Sequence, residues 1–215
     1  ESIRKTEING ANVTVPFKNS VIPFLDDLSS EAKKTNSVNT ICIEEDKIIG
    51  HNTDIAGFEL ALRYINYDVK RKKAFIIGAG GVCPSIIFAL NNMGCENICL
   101  TNRTFKKAEK IKETFNDITI RKWGDIPEFD IVINATSVGL NNENFDLELN
   151  KFGNNKFFYD VIYNPSETNF LKEAKLNGNK TQNGRMMFIY QAHQSFVLWN
   201  KVLPKIDEET IEILK

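Results

Sequence analysis

Three groups of residues have types and spacings that could do chemistry. Gly78, Gly80 and Gly81 close an apolar run at 74–77 and open a stretch of helical spacing, with Ala79 between them. Residues without a Cβ permit a tight turn and close backbone approach to a pyrophosphate, and the free N–H groups and positive dipole end of the following helix meet its charge. Cys83 stands at the third position of the GxGxxG pattern, and Pro84 follows it in the first helical turn, where a missing N–H costs little. About 20 residues further on, a carboxylate would hold the ribose 2′-OH of NAD. Here the chain instead has Thr101, Asn102, Arg103 and Thr104, with Lys107 close behind. Arg103 and Lys107 can pair with a 2′-phosphate that a carboxylate would repel, so the loop is read as selecting NADP.

The other two groups are more equivocal. Lys18 follows Pro16 at the end of an apolar stretch, and a lysine in that place is by itself a surface lysine. Asp54 lies just ahead of a helical stretch and by itself suits an N-cap, a task that Thr53 could also perform. A third polar run, 134–139, includes Thr136 and Ser137 at a strand end where a ligand of a parallel sheet belongs.

The elements that must position these residues follow from hydrophobic patterning. An extended stretch at 12–15 is stopped by Pro16, residues 37–43 and 47–50 read as a hairpin about an acidic turn, and 55–65 carries apolar residues at helical spacing. From Lys73 onward strands alternate with helices: strands at 74–77, 97–101, 118–120, 130–134, 157–161 and 180–182, helices at 81–92, 105–115 and 168–177, and a long apolar helix at 186–199. That alternation predicts an α/β protein with a Rossmann-type doubly wound parallel sheet at 55–183. A smaller α/β substrate domain at 1–54 would be completed by C-terminal helices from 184–215.

Composition narrows the partners. The 215 residues include 27 Lys and Arg against 28 Asp and Glu, a net charge of -1 that exerts no pull on a nucleic acid backbone. No apolar run approaches the roughly 20 residues of a membrane helix, and the charged start is no signal peptide, so the chain reads as soluble, untargeted and cytoplasmic. Cys42, Cys83, Cys95 and Cys99 form no CxxC pair, and only His51 and His193 could join them as ligands, so reduced thiols and no metal are expected.

Taken together, the motifs resemble the shikimate dehydrogenase family nearly end to end. The resemblance rests on Asn12-Val13-Thr14-Val15-Pro16-Phe17-Lys18, Ser37-Val38-Asn39-Thr40 and Gly50-His51-Asn52-Thr53-Asp54. In the cofactor half it rests on Gly78-Ala79-Gly80-Gly81, Asn102-Arg103-Thr104, the run from Asn134 to Gly139, and Asp160-Val161-Ile162-Tyr163-Asn164-Pro165. Asn183-Gly184, Met187, Gln191-Ala192 and Ser195-Phe196 close it. The resemblance implies NADP-linked interconversion of 3-dehydroshikimate and shikimate, with Lys18 and Asp54 as the catalytic pair and Thr14, Asn39 and Gln191 on the substrate hydroxyls. It also places Tyr163 and Gly184 at the cofactor, and it leaves open which member of the pair carries the proton and whether the protein is a monomer or a homodimer. Members of the family begin with a further N-terminal segment whose serine-rich motif would grip the substrate carboxylate, and that part is expected to be missing here. Two rival readings are a quinate/shikimate dehydrogenase subtype, which often favours NAD, and a catalytically inactive NADP-binding regulator.

Overall fold

A computed structural model of the chain describes residue 3, residue 5 and residues 7–213. Its first sheet has four strands, β1 (Gly10–Asn12), β2 (Asp27–Leu28), β3 (Thr40–Glu44) and β4 (Lys47–His51), in the order β1-β3-β4-β2, with α1 (Ser30–Thr35) between β2 and β3. The β3–β4 hairpin turns through Glu45 and Asp46, whose φ angles of 48° and 62° give the left-handed pair that suits the twist of two antiparallel strands. The strand expected at 12–15 runs instead over Gly10–Asn12. Val13 still donates its N–H to the Asn39 carbonyl, but Phe17 N–H then closes a turn on Thr14 O at 2.8 Å, and Pro16 has no N–H to offer a ladder. Apolar residues at 13 and 15 therefore mark the exit from the sheet rather than its body.

Helix α2 (Asp54–Tyr64) leads into β5 (Lys73–Ile77), α3 (Cys83–Asn92), β6 (Asn97–Thr101), α4 (Phe105–Thr114), β7 (Thr119–Arg121), β8 (Ile131–Asn134), β9 (Phe157–Asp160), α5 (Asn169–Leu176), β10 (Lys180–Gln182), α6 (Arg185–Asn200) and α7 (Glu208–Glu212). The six strands β5 to β10 form one sheet in the order β10-β9-β8-β5-β6-β7, and every neighbouring pair is parallel. The chain leaves β5 toward β6 on one side and returns to β8 on the other, so the carboxyl ends of β5 and β8 flank the switch point where ligands of such sheets bind. The doubly wound fold read from the alternation is thus present.

Because both faces are covered, the strands are buried throughout their centres. Ile76, Leu100, Ile133 and Tyr159 point into an aliphatic layer with α2, α3 and α6, while Phe75, Ile77, Val132 and Phe158 point into the opposite layer with Phe129, Phe152 and Phe170. Among the described residues no helix is long and apolar enough to cross a membrane.

Helices α2 and α6 cross closely where Gly57 faces α6: a Cβ at Gly57 would lie 2.9 Å from both the Gln191 Cβ and the Met187 carbonyl oxygen. Glycine inside a helix ordinarily costs about 1 kcal/mol relative to alanine. Here the gain from Gly57→Ala is outweighed by overpacking against backbone, which costs about 1–3 kcal/mol. Thermal melts of Gly57→Ala are expected to show a lowered Tm, against the rise that helix propensity alone would give.

Candidate active site

The backbone of Lys18 is fastened beside the first sheet, its carbonyl accepting from Val38 N–H at 2.9 Å. Its side chain turns inward, only 8% of the residue being exposed, and Nζ donates to Asp54 Oδ2 at 2.5 Å. Asp54 is the first residue of α2, where a carboxylate suits the positive end of the helix. The N-cap position belongs to Thr53, and the Asp54 carboxylate goes to Lys18 and Asn39.

Asn39, at the entry to β3, is the hub of the remaining contacts. Its amide nitrogen reaches Thr53 Oγ1 at 2.8 Å, Asp54 Oδ1 at 3.0 Å and Gln191 Oε1 at 3.3 Å, while its carbonyl oxygen accepts from Thr53 N–H at 2.7 Å. Two amide hydrogens serve three acceptors, so the longest contact, to Gln191, is the shared one. One turn along α6, Ser195 meets Thr40 Oγ1 at 2.7 Å and receives an N–H from Asn12 at 3.1 Å, which fixes α6 to β1 and β3. Lys18, Asp54, Asn39 and Gln191 are therefore brought together, whereas Thr14 stands exposed on the turn before Lys18.

The glycine turn lies directly against this cluster. Gly78 has φ +110°, and a Cβ there would fall 2.5 Å from the Thr136 methyl group. Asn102 holds the turn from the next strand end, accepting from Ala79 N–H at 3.0 Å and donating to Thr104 O at 2.8 Å. A Cβ on Gly80 would find only Ala135 O within 4 Å, at 3.6 Å, so this turn presents an open concave backbone of the kind a pyrophosphate requires. Gly81 faces the Lys18 chain with room for about one methyl group between them, an added Cβ falling 3.5 Å from Lys18 Cδ, and its carbonyl accepts from Ser37 Oγ at 3.1 Å. Arg103, Thr104 and Lys107 are exposed at the carboxyl end of β6, with no acidic side chain in the run 101–104. These residues fit a dinucleotide carrying a 2′-phosphate.

On the far side of the switch point, Thr136 bonds Asn134 Oδ1 through both its N–H and its hydroxyl, and Ser137 is exposed beside it. Tyr163 is exposed and stacks on Phe188 with ring centroids 4.3 Å apart. Gly184 begins α6 in near contact with backbone, for a Cβ there would overlap the Val161 carbonyl. The residue that organises this side is Asp160, which patterning alone does not single out. Fully buried, it accepts from Asn134 Nδ2 at 3.0 Å, Ile162 N–H at 3.0 Å and Thr168 Oγ1 at 2.6 Å, and burial pushes its carboxyl up to about 6 despite those three donors. Thr53, read from sequence only as a possible cap, and Ser195, quoted there only within a motif, are given no site role by the sequence, and Thr168 is not singled out at all.

A parallel six-stranded sheet with an open glycine turn at its switch point, set against a buried lysine–aspartate pair, defines an α/β protein of the dinucleotide-binding class. Residues 1–41 match the family model of the shikimate dehydrogenase substrate binding domain, and residues 59–161 match that of shikimate / quinate 5-dehydrogenase. A shikimate dehydrogenase (NADP(+)) of Pelagibacter ubique is 55% identical over 99% of this chain and 81% of its own length. Crystal structures are similar too: shikimate 5-dehydrogenase of Thermus thermophilus in complex with NADP(H) and shikimate (TM-score 0.88, 33% identity, 99% of this chain and 80% of that one) and 5-ketofructose reductase of a Gluconobacter strain (TM-score 0.86, 32% identity, 99% and 80%). The chain belongs to the shikimate dehydrogenase family.

The raised carboxyl of Asp160 has a consequence for stability. Because the folded state binds its proton more tightly than the unfolded chain, stability contributed at this site is highest at low pH. It falls as pH rises from about 4 to about 6 and levels off above, with about 3 kcal/mol separating the two ends of that window. Subtracting the Tm-versus-pH curve of Asp160→Asn from that of the unmodified protein is expected to show a decline across this window and a plateau beyond it.

Proposed function

We propose that the protein catalyses the reversible NADP-linked reduction of 3-dehydroshikimate to shikimate, a step of chorismate and aromatic amino-acid biosynthesis. The observation that carries the reading is the closeness of Gly81 to the Lys18 side chain, which a single added Cβ would touch, so that the nucleotide turn lies beside the buried Lys18–Asp54 pair. The 55% identical relative named for this activity supports the substrate, which the fold does not choose, since a 5-ketofructose reductase shares it. In this reading residues 1–54 and 184–215 form the substrate-binding and catalytic unit and residues 55–183 the NADP unit. The protein would act in the cytoplasm as a monomer or homodimer.

NADPH, when bound, supplies the hydride. Gly78, Ala79, Gly80 and Gly81 would hold its pyrophosphate by backbone, Arg103 and Lys107 would pair with its 2′-phosphate beside Asn102 and Thr104, and Thr136, Ser137, Tyr163 and Gly184 would line the far side. Thr14, Asn39 and Gln191 hydrogen-bond the ring hydroxyls and orient the ketone. As that ketone is reduced, negative charge develops on its oxygen, and the Lys18 ammonium stabilises it. The Lys18–Asp54 pair delivers the proton, with Asp54 holding the ammonium in place and Asn39 holding Asp54.

Cofactor preference and the kinetics of variants test this. The ratio of kcat/KM for NADPH over NADH is expected to be roughly tenfold or more, since charge-assisted contacts to one phosphate contribute about 1.5–3 kcal/mol. Arg103→Asp is expected to erase or reverse that ratio, and equal use of both cofactors by the unmodified protein contradicts the assignment of Arg103.

Lys18→Ala is expected to lower kcat by about 10²–10⁴-fold with NADP binding intact. Asp54→Asn keeps the shape of the side chain but leaves the Lys18 ammonium buried without its partner, so Tm is expected to fall with the cost of an unpaired buried charge, about 3–5 kcal/mol. Activity lost in protein that circular dichroism shows to be folded and that still binds NADP marks the carboxylate as part of the apparatus. The double variant is expected to cost little more than either single change, as groups acting as a unit are non-additive. A folded protein that binds NADP but turns over none of this substrate would instead support the regulatory reading.

A further inference from the structure

Outside the proposed active site, the hairpin gathers three ligand-type side chains that are scattered in sequence. Cys42 and Glu44 lie two residues apart on β3 and so share one face of the sheet, and His51 stands opposite Thr40 on β4. Their donor atoms all fall within 4.8 Å of one another. Glu44 Oε1 is 3.4 Å from Cys42 Sγ and 3.3 Å from His51 Nε2. Donors around a tetrahedral zinc ion, at about 2.0–2.3 Å from the metal, stand about 3.3–3.6 Å apart along each edge, so two edges of the polyhedron are already formed. A separate observation points the same way: His51 Nε2 is buried and makes no hydrogen bond, despite the nearby carboxylate. Burial also holds the His51 imidazole below its ordinary range.

We propose that Cys42, Glu44 and His51 form a binding site for a borderline-soft divalent cation of the zinc class, with solvent as the fourth ligand. The donor set excludes magnesium and calcium, which require all-oxygen shells. On uptake the Cys42 S–H proton passes to solvent and the thiolate bonds the metal, with no change of oxidation state. Access is from the Glu44 side, whose side chain is 36% exposed. His51 also lines a cavity of about 490 Å³ between α1, α2, α3 and α6. Among the described residues, the cation beside the cluster is Lys201, just past the end of α6, with Nζ 3.8 Å from Glu44 Oε1 and its side chain 68% exposed, so that it can swing away. Occupied, the site ties β3 to β4 immediately before Asn52, Thr53 and Asp54, yet the inference stands or falls independently of the catalytic proposal.

Cobalt(II) and zinc(II) titrations of the full chain test it. Cobalt is expected to bring up a near-ultraviolet thiolate-to-metal charge-transfer band at one equivalent, and zinc to displace it. Cys42→Ser should abolish the band, whereas Cys95→Ser should leave it, which separates this site from the half-buried thiol at 95. His51→Gln should weaken zinc binding by at least about 10–100-fold, the loss that follows even from removing an outer partner of a metal ligand. Lys201→Met should tighten it by removing a competing cation, an effect that a purely structural hydrogen-bonded cluster would not produce. Circular dichroism confirms that each variant is folded. A missing band in the unmodified protein, a band that survives Cys42→Ser, or zinc affinity unchanged in folded His51→Gln overturns the proposal.

Discussion

The ammonium of Lys18 and the carboxylate of Asp54 meet at 2.5 Å with both residues more than nine-tenths buried. Removing two charges from water costs several kcal/mol for each ion, and their mutual attraction offsets this only when the remaining hydrogen-bonding capacity is also met. Asp54 Oδ1 is met by Asn39, Asn39 by Thr53, and the edge of that cluster by Gln191 from α6. The lysine arrives from the turn after β1, the aspartate from the start of α2, the asparagine from β3 and the glutamine from a helix more than a hundred residues on. Much of the architecture follows from keeping these four contributors in register, including the close crossing of α2 and α6 at Gly57 and the pinning of α6 by Ser195.

The six-stranded sheet imposes a second constraint, because its polar groups at the carboxyl edge are as buried as its apolar centre. Asn134 and Asp160 occupy neighbouring strand ends and are paired in register. Their side chains bond each other and then divide the work, Asn134 shaping the turn that carries Thr136 and Asp160 shaping the turn that carries Tyr163. A carboxyl with its acidity suppressed by burial is tolerated there because three donors surround it, and it keeps two loops at one fixed separation.

How far the sequence can be read depends on whether the deciding contact is local. The strands β5, β6 and β10, the helix after the glycines and the acidic hairpin turn all come from short-range pattern and stand within a residue or two of their expected places. The strand expected at 12–15 is displaced because alternating apolar residues there serve a turn, while β2, α1 and α7 are too short to leave a periodic trace. For the candidate site, Lys18 and Asp54 are ambiguous singly, since a surface lysine and a helix cap look the same along the chain. Only the fold closes the 36 positions between them. The same limit hides Cys42, Glu44 and His51, which show no ligand spacing in sequence because the hairpin, not the chain, brings them together.

Gly81 belongs to the nucleotide turn, yet its carbonyl is held by Ser37 and its open side faces the Lys18 chain across the space of one methyl group. One residue thus has its position fixed from both halves of the molecule. A ligand on the turn and a ligand on the lysine would meet at this residue, each in a position to order what the other rests on. Such mutual ordering is a coupling free energy, and linkage requires it to act equally in both directions. Under the proposed function, cofactor and substrate would therefore change each other's binding by one and the same factor.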